Sequence, residues 1–226
     1  MVSSPFEPHF LPGPAGRMHF IDEGRGEPIL MLHGNPSWSY MFRELIADLR
    51  SSCRCIAPDH IGMGLSDKPG DDRYAYTLES RVDDLERLLA HLGLGAEPAP
   101  PPSREENSRA PRTARPGAPP LTLLLHDWGG MIGMAYACRH PGRVKRIIVC
   151  NTAAFLNPKG LALPWQLRLG RDSRLGALLI RGLNAFSLGA AYLCALRRPM
   201  SPATRAAYLA PYDSWDNRRA VLRFVQ

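Results

Sequence analysis

No run of apolar residues in this sequence is long enough to span a bilayer, so no transmembrane helix is expected. Residues 1–13 have no basic stretch followed by an apolar one, and no signal peptide is expected either. The five cysteines are odd in number and form no C-x-x-C pair. That excludes a disulfide framework and a zinc site, and it points to reduced core thiols and a cytoplasmic location. His, Cys, Asp and Glu nowhere cluster at metal-ligand spacing, so neither a metal nor an organic cofactor is expected. The chain carries a net charge of +7, much of it arginine in Arg104–Arg115 and Arg168–Arg223. Without a recognition motif or interleaved aromatics, that charge does not imply nucleic acid. It is read as a solvated basic face, with acidic partners or membrane surfaces as the second reading.

What is there suits an ordinary core. With 226 residues, 45% hydrophobic and 22% charged, the chain makes one large domain, or one domain with an insertion. His19–Asp22, Ile29–Leu32, Cys55–Pro58 and Ile147–Cys150 read as short strands. Ser39 is placed to cap a helix running to Leu49, and Thr77 begins another that runs to Leu92 and ends at Gly93. Strands alternating with helices give an α/β fold with a mostly parallel, doubly wound sheet. Residues 96–120 are rich in Pro, Arg and Ser without an apolar period and read as a disordered insertion, looped out away from the site. After Asn151 only short helical pieces follow: Leu161–Leu169, Leu175–Phe186, Ala190–Leu196 and Pro202–Tyr208. The expected division is a core over 1–151 and a helical cap over 152–226.

The centre of the pattern is Leu121–Met131, LTLLLHDWGGM. A buried strand turning sharply into a helix places the turn residue at the carboxyl edge of a parallel sheet, where ligands of open α/β sheets bind. The stretch matches a nucleophile elbow with Asp127 in the serine's place, although Leu125 stands where that motif has its first glycine. It also matches a buried strand followed by a helix whose N-cap is Asp127. Both remain open on the residues alone. Gly129 and Gly130 suit close packing of helix on strand.

HGNPSWSY, APDHIGMGLSDKP, HDWGGMIG and NTAAF, in this order, resemble the haloalkane dehalogenase branch of the α/β-hydrolase fold. YTLESRVDDLERLLAHLGL, LGALLIRGLNAFS and APYDSWDNRRAVLRFVQ are more similar to the β-lactone decarboxylases of bacterial long-chain olefin synthesis. Those enzymes turn a cis-3-alkyl-4-alkyloxetan-2-one into a cis-alkene and carbon dioxide. The resemblance implies Asp127 as nucleophile, ionised at neutral pH and able to attack carbon without a base. It implies Asn35 and Trp128 as side-chain donors for a halide or oxyanion, with their backbone N–H groups added. It also implies a small apolar substrate, β-lactone or haloalkane, and association with other olefin-pathway enzymes.

Other residues have quieter expected roles. His33 and His126 flank the site and read as hydrogen-bonded structural histidines. Asp59, Asp67 and His60 organise the loop after the third strand, with His60 near the cleft edge. Phe155, Trp165, Phe186 and Tyr212 are pocket-wall candidates. The fold's order of nucleophile, acid and histidine is not completed, because the last histidine, His140, lies 13 residues past Asp127, about 20 Å along a helix. No carboxylate follows Cys150 in Asn151–Ala154. The last strands and the catalytic histidine region are therefore expected to be missing, and residues 1–226 alone are expected not to turn over. Haloalkane dehalogenase is the alternative activity and epoxide hydrolase a third. A non-catalytic remnant binding through the basic insertion is the alternative of another class.

Overall fold

The computed structural model describes residues 5–95, 118–153, 165–194 and 197–226. Most of the insertion, Phe155, and the helix start expected at Leu161 lie outside them. Six strands form one sheet: β1 (His9–Gly13), β2 (Gly16–Glu23), β3 (Glu27–Leu32), β4 (Cys53–Pro58), β5 (Leu121–His126) and β6 (Val144–Cys150). Their order is β1-β2-β4-β3-β5-β6. The β1–β2 and β2–β4 pairings are antiparallel, and β4, β3, β5 and β6 run parallel.

The inner stretches of the central strands, Ile29–Leu32 of β3 and Leu123–Leu125 of β5, are apolar throughout because both faces are covered. On β3, Leu30 and Leu32 face the cluster under α2 (Leu78–His91) and α3 (Trp128–Arg139). Ile29 and Met31 face the opposite cluster, with Phe42 and Ile46 of α1 (Arg43–Leu49) and its preceding turn. β5 repeats this, with Leu121, Leu123 and Leu125 on the first face and Leu124 on the second. This two-sided burial fixes the height of the strand ends and therefore of Asp127. β6 stands at the sheet edge, and Ile147, Ile148 and Val149 are exposed.

Three local expectations change. β1 was not anticipated, since HFLPG carries a proline; as an edge strand it tolerates Pro12. Ser39 does not cap a helix through its side chain: a 3-10 turn over Ser39–Phe42 precedes α1, with Trp38 at its N-cap. The reason is Asp59, whose carboxylate accepts the Ser39 N–H at 2.6 Å and fixes the chain there. The helix expected over Leu175–Phe186 breaks at Asn184, which is left-handed (φ 54°), an αL stop between α5 (Arg174–Leu183) and α6 (Ala185–Leu193). Thr77 caps α2 as expected, accepting from Ser80 N–H. The other helices of the C-terminal segment are α4 (Trp165–Asp172), α7 (Pro202–Leu209) and α8 (Arg219–Val225).

Both ends of the insertion are anchored. The buried Arg143 guanidinium donates to the carbonyls of Leu94 (2.7 Å), Ala118 (2.9 Å) and Pro119 (3.0 Å). These lie at the start of β5, and Asp127 follows its end.

Candidate active site

β5 ends at His126 and α3 begins at Trp128, so the whole change of direction falls on Asp127, with φ 50° and ψ −125°. For a residue with a Cβ this is strained, costing about 1–3 kcal/mol, and it persists only where the surroundings enforce it. The elbow glycines are part of that enforcement. A Cβ on Gly129 would lie 2.1 Å from the Leu32 carbonyl oxygen, and one on Gly130 would lie 1.9 Å from Thr152 Oγ1. That Thr152 hydroxyl donates to the Asp127 carbonyl. Asp127 does not cap α3 with its side chain. Its Oδ1 instead accepts the backbone N–H of Asn35 at 2.8 Å, so the N-cap alternative gives way to the elbow. Gly34 permits this approach, because a Cβ there would sit 2.2 Å from the Asp127 Cβ.

Asn35 is held by α8. Its Nδ2 donates to the carbonyl of Val221 on α8 at 3.0 Å, and its Oδ1 is buried with no hydrogen-bond partner. An amide carries two hydrogens, so one N–H is committed to Val221 and a second is available. Trp128 is partly buried, and its ring lies 5.4 Å from that of Phe224. Asp127, Trp128, Met131, Asn151, Thr152 and Ala153 line an open cleft of about 540 Å³. Asp127 and Trp128 at the β5–α3 turn and Asn35 after β3 are thus brought to one end of the sheet.

Behind the Gly34–Asn35 turn lies a buried polar layer. His33 Nδ1 contacts the Gly34 carbonyl at 2.9 Å, and its Nε2 contacts the His60 N–H at 3.1 Å. A carbonyl only accepts and a backbone N–H only donates. His33 is therefore neutral, with its proton on Nδ1. His60 Nε2 faces the His33 carbonyl at 3.1 Å and must carry a proton. Burial holds both imidazoles below the ordinary histidine range, His60 well below it. Asp59 accepts from Ser39 N–H, from Leu65 N–H (2.8 Å) and from His19 Nδ1 (2.9 Å). Burial alone would raise its pKa; His19, His33 and the Leu65 N–H together hold it low.

His60 is not at the cleft edge. It is buried between His33 and Phe224, whose ring lies 6.1 Å away. Asp67 pairs with Arg17 at the surface. His126 Nδ1 is buried without a partner, and His140 faces Glu86 at 2.9 Å at the far end of α3. Among the described residues no histidine contacts Asp127. Of the pocket-wall candidates, Trp165 is exposed and Phe186 packs on the core. Tyr212 is buried, donating to the Ser37 carbonyl at 3.1 Å. Thr152, Val221 and Arg81 were not anticipated. Arg81 is buried, its guanidinium 3.7 Å from the centre of the Phe224 ring, and burial brings its pKa down to about 10. A lone arginine on the apolar face of α2 was the one sequence signal for it.

Residues 29–225 match the model of the Alpha/beta hydrolase family. The chain is 48% identical over 222 residues to a cis-3-alkyl-4-alkyloxetan-2-one decarboxylase of Shewanella oneidensis, covering 98% of this chain and 63% of that protein. It is 49% identical over 220 residues to one of Xanthomonas campestris, covering 94% and 65%. Haloalkane dehalogenase 2 of Mycobacterium bovis is 35% identical over 148 residues, covering 66% of this chain and 43% of that protein. The chain thus spans a little under two thirds of the length of the two decarboxylases it matches. Among solved structures, haloalkane dehalogenase DbeA from Bradyrhizobium elkani superposes with a TM-score of 0.75 at 24% identity, over 97% of this chain and 68% of that one. At that identity the likeness concerns the fold.

Proposed function

The chain belongs to the alpha/beta hydrolase family, and on that premise we propose that it carries the nucleophile half of a cis-3-alkyl-4-alkyloxetan-2-one decarboxylase site. The observation behind the choice of reaction is the near-half identity to proteins of that name along almost the whole of this chain. Asp127 supplies the chemistry. Its carboxylate attacks the ring carbon that bears the lactone oxygen; the C–O bond breaks, and the ring oxygen leaves as a carboxylate. The product is an ester of Asp127. The second amide N–H of Asn35 and the Trp128 indole N–H receive the charge that develops on the departing oxygen.

The ester can then fragment without water. The free carboxylate loses carbon dioxide, its electron pair becomes the alkene, and the Asp127 carboxylate departs. Attack with inversion followed by anti fragmentation turns a cis-disubstituted ring into a cis-alkene. Atoms and charge balance, and Asp127 is regenerated.

Hydrolytic dehalogenation is the second reading, favoured by the pairing of Asn35 and Trp128 donors with an aspartate and by the similarity to haloalkane dehalogenase 2. Here a halide leaves and water must cleave the ester. The two are separated by turnover in H₂¹⁸O. Hydrolysis at the ester carbonyl places ¹⁸O in the Asp127 carboxylate, and fragmentation leaves it unlabelled. Unlabelled Asp127 with release of alkene supports the decarboxylase. Labelled Asp127 with a bromoalkane, and no reaction with the lactone, overturns it.

A further inference from the structure

Helix α5 has one polar edge, Arg174 and Arg181, and is apolar over the rest of its circumference, yet it is not buried. Its inner side, Gly176 and Ile180, packs closely on the cap; a Cβ on Gly176 would lie 2.0 Å from the Leu169 carbonyl oxygen of α4. Its outer side is also apolar. At 3.6 residues per turn, Leu178, Gly182, Leu175, Leu179 and Leu183 cover a continuous arc of about 140°. Leu175, Leu178 and Leu183 are 57%, 53% and 66% exposed. Tyr192 and Leu193 extend the exposed apolar surface onto α6. An exposed apolar helix face of this width, bordered by charge, ordinarily marks a contact with protein or lipid.

The charge around it is predominantly positive. Residues 165–226 hold ten arginines and three aspartates, with no lysine or glutamate, so the chain's whole net +7 belongs to this segment and the remainder is neutral. Arg174 and Arg181 border the arc of α5. Arg168, Arg174, Arg197 and Arg198 are exposed and form no ion pair among the described residues.

We infer that the outer face of the cap, centred on α5, docks on an anionic lipid surface. Leucines enter the acyl boundary and arginines meet the headgroup phosphates. A second copy of the chain would set one strongly basic face against another, which disfavours self-association. The inference places the helices on the membrane: neither α5 nor α6, of 10 and 9 residues, is long enough to cross alone, and the two meet at 69°. The inference does not depend on which reaction Asp127 performs.

The test is co-sedimentation with 100-nm vesicles of phosphatidylcholine alone and of phosphatidylcholine with roughly 30% phosphatidylglycerol, a content chosen to give a substantial negative surface potential. The chain is expected to sediment with the anionic vesicles and to be released as salt rises. Leu178→Asp with Leu183→Asp should abolish binding. Arg168→Glu with Arg174→Glu should weaken it roughly fivefold per site. If the leucine variant fails to fold by circular dichroism, the arginine pair, exposed and without an ion pair among the described residues, carries the test alone. Equal recovery with neutral and anionic vesicles, binding unchanged in a folded variant, or loss in Leu178→Asp of a self-association that excludes vesicles would overturn it.

Discussion

Replacing Asp59 by asparagine probes the scaffold behind the site. The carboxylate has three donors: Ser39 N–H on Oδ1, and Leu65 N–H with His19 Nδ1 on Oδ2. An amide of the same shape has one acceptor oxygen. With its NH₂ at the Oδ1 position it confronts the Ser39 N–H; turned over, it confronts the Leu65 N–H. Either way at least one charge-assisted bond is lost, about 1.5–3 kcal/mol, and a buried donor is stranded at about 1–3 kcal/mol. The expected loss is about 3–5 kcal/mol, a large part of a typical domain's stability. Urea unfolding followed by tryptophan fluorescence and circular dichroism measures it. Asp59 has its pKa lowered in the fold, so its contribution is complete above the ordinary carboxylate value and is lost as pH falls through the folded value. The gap between wild type and variant should therefore be constant between about pH 5 and 8 and close at lower pH. A loss below about 1 kcal/mol, or a gap that widens in acid, would refute the reasoning.

The paired histidines give a separate pH signature. His33 and His60 have lowered pKa values in the fold, so their stability contribution is complete above about pH 6.5 and declines below it, by up to about 1.4 kcal/mol per pH unit for each proton taken only on unfolding. His60→Gln should flatten that slope in a series of thermal melts; an unchanged slope would remove His60 from it. Gly34→Ala forces a methyl against Asp127 and should cost about 1–3 kcal/mol along with most activity, read by calorimetry and product assay. Arg143→Met strands three carbonyls and should speed proteolytic cleavage near 95–118, with intact protein followed on gels. Val149→Lys at the exposed edge strand should raise the concentration at which light scattering sets in, with stability changed by less than about 0.5 kcal/mol.

The strands that build the site were legible because parallel strands buried on both faces are written as uninterrupted apolar runs. Leu123–Leu125 and Ile29–Leu32 are such runs. Thr77 and Gly93 were readable as helix ends because capping is local chemistry. Asp127 was ambiguous, since an elbow and an N-cap begin with the same residues and differ only in backbone angle and in what the carboxylate faces. That partner, the Asn35 N–H, lies 92 residues away. Ser39 misled for a related reason: the Asp59 carboxylate just past β4, not its own hydroxyl, fixes its position. The His19–Asp59 and His33–His60 contacts join β2, β3 and the loop after β4, and no periodicity in one segment encodes a neighbour in another. Trp165 and Tyr212 differ in burial because tertiary packing, not residue type, decides which aromatics face solvent.

The most direct measurement is peptide mapping of the chain and its Asp127→Asn form after incubation with a cis-dialkyl β-lactone, with the headspace analysed for cis-alkene. The account predicts an ester mapped to Asp127, alkene release, or both, in the wild type and neither in the variant; alkene release would also overturn the expectation that residues 1–226 alone do not turn over. An adduct on another residue, alkene formed undiminished by Asp127→Asn, or no reaction of the wild type at all would contradict it.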